Sequence, residues 1–122
     1  PYIENIKYVP DMKSLYLVTD IVILPTWREG LSRALLEAGS MELPIISTNV
    51  PGCKEIVIHN KTGLLINKKD PESIKKAILL LMNNNNLCKK FSKNIRKHIE
   101  KNFTNEIINK KTINLYRNKI KN

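Results

Sequence analysis

An α/β fold built on a parallel sheet is predicted by three observations. Short, nearly continuous apolar runs, Asp20-Ile21-Val22-Ile23-Leu24 and Pro44-Ile45-Ile46-Ser47-Thr48, recur along the chain. Runs of this kind suit strands buried on both faces of a parallel sheet. They alternate with segments of helical periodicity, the pattern of βαβ units. The length, 122 residues, falls in the range of one domain.

Each element has its own local reason. Residues 5–9 read as a strand and 11–18 as a short helix with Asp11 near its cap. Residues 20–24 form the first buried strand, and a helix over about 31–41 presents Ala34, Leu35, Ala38 and Met41 on one side. Residues 45–48 form the next buried strand, 55–57 a short helical turn, and 64–66 the last strand. Asp70 can cap the following helix and Pro71 fits its first position. Ile74, Ala77, Ile78 and Leu81 then make an i, i+3, i+4, i+7 stripe, which Asn83-Asn84-Asn85-Asn86 interrupts. Leu87, Phe91, Ile95 and Ile99 mark a further stripe, and Ile108, Thr112, Leu115 and Tyr116 another.

The chemistry concentrates where the first buried strand ends, at Pro25-Thr26-Trp27-Arg28-Glu29-Gly30-Leu31-Ser32-Arg33-Ala34-Leu35-Leu36-Glu37-Ala38. In open α/β sheets ligands bind beyond the carboxyl ends of the strands. The amides of Gly30, Leu31 and Ser32 are expected as unpaired donors at a helix N-terminus, where phosphate oxygens are favoured. Gly30, without a side chain, admits close approach of a ligand to the backbone. Glu37 suits a ribose diol and Glu29 the hydroxyls of a second sugar, so the stretch reads as half of a nucleotide-sugar site. The plainer reading has Glu29 offsetting the positive end of a helix and Glu37 solvated.

From residue 20 to 72 the chain resembles the donor-binding domain of the family-four retaining glycosyltransferases, enzymes of GT-B architecture. Four motifs carry the resemblance in order. Asp20-Ile21-Val22-Ile23-Leu24-Pro25 leads into Glu29-Gly30-Leu31, and the E-x7-E pair Glu29 and Glu37 contains Leu35-Leu36-Glu37-Ala38. Pro44-Ile45-Ile46-Ser47-Thr48 is followed by Pro51-Gly52 and Glu55-Ile56-Val57, then Thr62-Gly63-Leu64-Leu65 by Asp70-Pro71-Glu72. The resemblance implies the second half of a Rossmann-like domain, the GT-B C-terminal domain, over residues 1–85, with a basic helical tail, 86–122, packing on it. It implies that Glu37 holds the ribose hydroxyls, that Glu29 lies against the transferred sugar, and that Gly30, Leu31 and Ser32 contact sugar and diphosphate. Tyr8 and Val9 match a place where family members touch the base. The family commonly has Pro at Ser32 and usually Gly at Glu42. A Glu held in a left-handed cap costs on the order of 1 kcal/mol, so either the helix ends differently here or the chain carries that strain.

The chain begins at Pro1 rather than Met, so a piece of a longer protein is expected. The resemblance places the Arg and Lys that meet the diphosphate, and the acceptor-binding domain, upstream. Arg28 and Arg33 are nearby cations whose spacing does not make them replacements.

Hydrophobic residues make up 42% and charged residues 26%, ordinary globular usage with no apolar run long enough to span a bilayer. Cys53 and Cys88 are isolated, which suits a reduced, cytoplasmic setting. His59 and His98 read as solvated residues, and no metal or other cofactor is expected. Charge is uneven: residues 1–83 carry 10 basic and 9 acidic side chains, residues 84–122 carry 11 and 2. That tail reads either as a patch attracted to anionic lipid at the inner face of the cell membrane or as a solvated helix face. Few aromatics and two arginines argue against a nucleic-acid partner.

The function expected from the sequence is a bacterial-type retaining transferase. It takes a nucleotide-diphosphate sugar, a UDP-sugar first, as donor and a growing, lipid-linked glycan as acceptor, the fragment alone being inactive. Its relatives would be the builders of lipid-linked surface polysaccharides. The alternatives are an epimerase-like GT-B enzyme and a truncated, non-catalytic basic module.

Overall fold

A computed structural model describes residues 2–104 and Glu106. Helix α1 (Met12–Leu17), strand β1 (Val22–Leu24), helix α2 (Arg33–Ser40), strands β2 (Ile45–Thr48) and β3 (Leu64–Ile66), and helices α3 (Pro71–Met82) and α4 (Asn85–Asn102) follow in order. The strands form one parallel sheet, β1-β2-β3, with Val22 beside Ile45 and Ile46 beside Leu64. The stripe at Ile108, Thr112, Leu115 and Tyr116 lies outside the described residues.

Successive side chains on a strand point to opposite faces, so the sheet carries two cores. Ile45 joins Leu35, Ala38, Val50, Ile56, Ile95 and Ile99 on one side. Ile46 joins Leu64, Ile66, Ala77, Leu81 and Phe91 on the other. Helix α4 serves both, since Phe91 packs in the second cluster and Ile95 and Ile99 in the first.

The helix starts follow the sequence. Asp11, Asp70 and Asn84 accept hydrogen bonds from Lys13 N, Ser73 N and Leu87 N, and Pro71 occupies the first turn of α3. The asparagine run is a junction, in which Asn83 ends α3 and Asn84 starts α4. The turn expected at 55–57 is wider, running over 51–56.

Three expectations are corrected. Residues 5–9 form no strand, and Tyr8 is 80% exposed. Apolar alternation proposes a strand, but only a hydrogen-bonded neighbour makes one, and the described strands offer none there. Strand β1 is not buried on both faces: it flanks β2 at the edge of the described sheet, and Ile23 is 37% exposed. Helix α2 buries Leu35, Ala38 and Gly39 and leaves Ala34 exposed. The face is chosen by α4, because a Cβ on Gly39 would run into Ile99 Cδ1 and lie 2.9 Å from Ile95 Cγ1.

Glu42, which follows α2, has φ 58°, so the chain does carry a non-glycine residue in the left-handed region. Glu42→Gly is expected to raise stability by up to about 1 kcal/mol, the relieved strain being partly offset by a freer unfolded chain. Urea unfolding measures this, and an unchanged midpoint would mean that the surroundings absorb the conformation.

Candidate functional site

Residues 25–32 connect the carboxyl end of β1 to α2. On this loop Trp27 is exposed, with the Lys69 ammonium 4.2 Å from its ring centroid. That contact ties the loop to the segment before α3, and Lys69 itself has φ 53°. Glu29 is half-buried, and among the described residues its carboxylate has no hydrogen-bond or ion-pair partner. Its charge acts on Cys53 nearby. Burial pushes that thiol up, Ser47 opposes through a hydrogen bond, and the carboxylates of Glu29 and Glu55 push it further up.

A second loop, residues 50–56, braces the first. Glu55 accepts from Gly52 N at 2.6 Å, and Gly52 O accepts from Ser32 N at 3.3 Å. Gly52 has φ 92°, and a Cβ there would overlap the carbonyl oxygens of Glu29 and Gly30. Glycine is therefore required at 52 by the backbone conformation and by the main-chain contact together. At Gly30 a Cβ would meet no atom of the chain within 4 Å, so the chain's own packing makes no such demand there.

This geometry corrects the expectation for Ser32. Its amide is not an unpaired donor, because Gly52 O takes it, and its buried Oγ accepts from Leu35 N at 3.3 Å as the cap of α2. Within the loop the structure places Glu29, Gly30 and Ser32 against the 50–56 brace.

Glu37 stands elsewhere, on the exposed side of α2, where it lines a cavity of about 830 Å³ with Lys13, Tyr16, Leu31, Arg33 and Met41 among others. That volume is within the range of small-molecule sites. Of the five expected donor residues, Leu31 and Glu37 line this cavity. Of the two neighbouring cations Arg33 lines it, while Arg28 is exposed on the loop. The Tyr16 hydroxyl donates to Glu37 Oε2 at 3.3 Å. Burial, then the Glu37 charge and this hydrogen bond, push the Tyr16 phenol up. Sequence reasoning missed Tyr16 altogether, and it took Gly52 as part of a motif without its contact to the donor loop. The partners of both lie some twenty residues away, so the contacts themselves have no local signal.

The two histidines are structural rather than merely solvated. His59 Nδ1 accepts from Leu65 N at 3.0 Å, and His98 Nε2 lies 2.8 Å from Glu55 O, joining α4 to the bracing loop. Among the described residues no group of three His, Cys, Asp or Glu side chains could hold a metal ion.

Comparison with known proteins completes the description. The family model for glycosyl transferases group 1 matches residues 3–98. The capsular polysaccharide biosynthesis glycosyltransferase CapM of Staphylococcus aureus is 35% identical over 108 residues, which are 88% of this chain and 28% of CapM. The C-terminal domain of a group 1 glycosyl transferase, LpcC of Francisella tularensis, superposes with a TM-score of 0.74 at 23% identity, covering 84% of this chain and 53% of that one. Anabaena HepE, solved in complex with UDP-glucose, superposes with a TM-score of 0.82 at 19% identity, covering 91% of this chain and 31% of HepE. The chain thus spans little more than a quarter of the curated relative's length. The α/β piece of a GT-B C-terminal domain expected from the sequence matches the fold observed, a parallel three-stranded sheet with helices.

Proposed function

The chain belongs to the group 1 glycosyl transferases, and on that premise we propose that it is the donor-binding portion of a retaining glycosyltransferase. The parent enzyme moves a sugar from a nucleotide diphosphate, UDP first, to a growing, lipid-linked glycan. The observation that carries this reading is the cavity of about 830 Å³ bordered by Glu37, Leu31 and Arg33, along the helix that follows β1. HepE, which shares the fold, binds UDP-glucose, which makes UDP the first nucleotide to try. CapM, by its name, serves capsular polysaccharide biosynthesis, which supports a surface glycan as acceptor.

In this reading Glu37 accepts hydrogen bonds from the ribose hydroxyls, and Glu29 orients the transferred sugar. The amides of Gly30 and Leu31 meet the diphosphate as its negative charge develops, and Ser32 contributes by fixing the start of α2. No metal is assigned to this half. Exposed Lys89, Lys90, Lys93, Lys97 and Lys101 on α4, whose only acid is Glu100, support a peripheral place on anionic lipid.

An NMR titration of the labelled chain with UDP, GDP and ADP tests the donor site. Shifts centred on Gly30, Leu31 and Glu37 are expected, strongest for one nucleotide. Glu37→Ala is expected to weaken UDP by about 10- to 100-fold, since charged hydrogen bonds contribute about 1.5–3 kcal/mol. The same change costs about 1 kcal/mol of stability, because Tyr16 loses its acceptor. Unchanged affinity in a folded Glu37→Ala chain would end the ribose assignment.

A further inference from the structure

The cavity beside α2 is lined by a buried side chain to which the donor reading gives no task. Tyr16 is buried, at 7% exposure, yet its hydroxyl reaches the cavity wall and donates to Glu37 Oε2. Resting on the donor-site reading, we infer that Tyr16 is a positioning residue that sets the Glu37 carboxylate for the 2′ and 3′ hydroxyls of a nucleoside diphosphate. It thereby makes the site selective for a ribose over a sugar lacking those hydroxyls.

The physical argument starts from the two side chains. Glu37 is exposed on α2, and fixing a free Glu side chain costs rotamer entropy. A ligand that binds through Glu37 alone meets that cost itself. Tyr16 has two side-chain torsions and a ring held in the core cluster with Leu35 and Ala38. Its hydroxyl is therefore a rigid anchor that restricts Glu37 in advance.

The choice of partner supports the same conclusion. Arg33 lies one helical turn before Glu37 and lines the same cavity, so an i,i+4 ion pair was available. Among the described residues Glu37 and Arg33 form no ion pair, and the partner that Glu37 takes is Tyr16. One carboxylate oxygen is engaged by the phenol, and the remaining acceptor sites of Glu37 stay available for a diol. At 3.3 Å the contact is long for a hydroxyl donor, and such bonds commonly tighten when the ligand arrives. A phenol needs a partner when buried, so the bond also serves the fold. The test must therefore read ligand chemistry rather than stability.

UDP and 2′,3′-dideoxyuridine diphosphate are titrated into the wild-type chain, Tyr16→Phe, Glu37→Ala and the double variant, with the NMR spectrum of each checking the fold. Tyr16→Phe is expected to weaken UDP about fivefold, the worth of one hydrogen bond, and to change the dideoxy nucleotide by less than about twofold. In the Glu37→Ala background the Tyr16 substitution is expected to add nothing for UDP. Equal losses for both nucleotides would overturn the inference, reducing Tyr16 to packing, and so would additive losses in the double variant. Glu37→Gln keeps an acceptor for Tyr16 and is expected to lose less UDP affinity than Glu37→Ala. A Gln variant as weak as the Ala variant counts against positioning. Should neither the wild-type chain nor its full-length parent bind either nucleotide, the donor-site reading itself fails, and this inference with it, before any variant is compared.

Discussion

Gly52→Ala is expected to reduce nucleotide binding by at least about tenfold and to destabilise the chain by about 1–3 kcal/mol. Two effects add. The backbone at 52 has φ 92°, a region that L residues rarely occupy, and the new methyl would overlap the carbonyl oxygens of Glu29 and Gly30. Those are main-chain atoms, so no side-chain rotation relieves the overlap. Either the 50–56 loop or the donor loop must shift. A shift of the donor loop also breaks the bond from Ser32 N to Gly52 O that fixes the entry to α2. The substitution alters no group assigned to the ligand, so lost binding in a folded variant would show that the brace positions the donor loop. Wild-type affinity with a lowered unfolding midpoint would show that the brace serves stability alone.

Phe91→Ala is expected to cost about 3–5 kcal/mol, the range for emptying a buried aromatic site. Phe91 is fully buried against Ile46, Leu64, Ile66, Ala77 and Leu81, so its ring fills one face of the sheet from the last described helix. Small domains have about 5–15 kcal/mol in total, and the variant would stand near its limit. Denaturant unfolding followed by circular dichroism measures the loss. A cost below about 1 kcal/mol would mean that α4 is an appendage rather than a wall of the core.

Much of this fold was legible because its signals are local. Strands β2 and β3 and the start of α3 come from short apolar runs and from Asp70-Pro71, each readable within a few residues. The family resemblance likewise drew on motifs that are short in sequence. What escaped depends on partners distant along the chain. The pattern at residues 5–9 resembles a strand, but pairing is a property of two segments. The buried face of α2 turns on Gly39, which matters only because Ile95 and Ile99 cross there. In the candidate site, the sequence shows Glu29 and Gly30 as loop residues and Glu37 as a helix residue, while the helix starts later than expected and leaves Leu31 on the loop. Their division between a braced turn and a cavity was not visible. That division depends on Gly52 and Tyr16, which reach the motif from the far side of β2 and from α1.

The double duty of α4 has a consequence for synthesis. Roughly thirty residues separate β3 from Ile99, the most distal of the side chains with which α4 closes the two cores. At about 5–20 residues per second a ribosome needs roughly 2–6 seconds to make that stretch. For that interval Ile45, Ile46 and Leu64 exist as nascent chain without Phe91, Ile95 and Ile99 to cover them. The strands that are most deeply buried at the end are thus the ones longest in need of protection during translation.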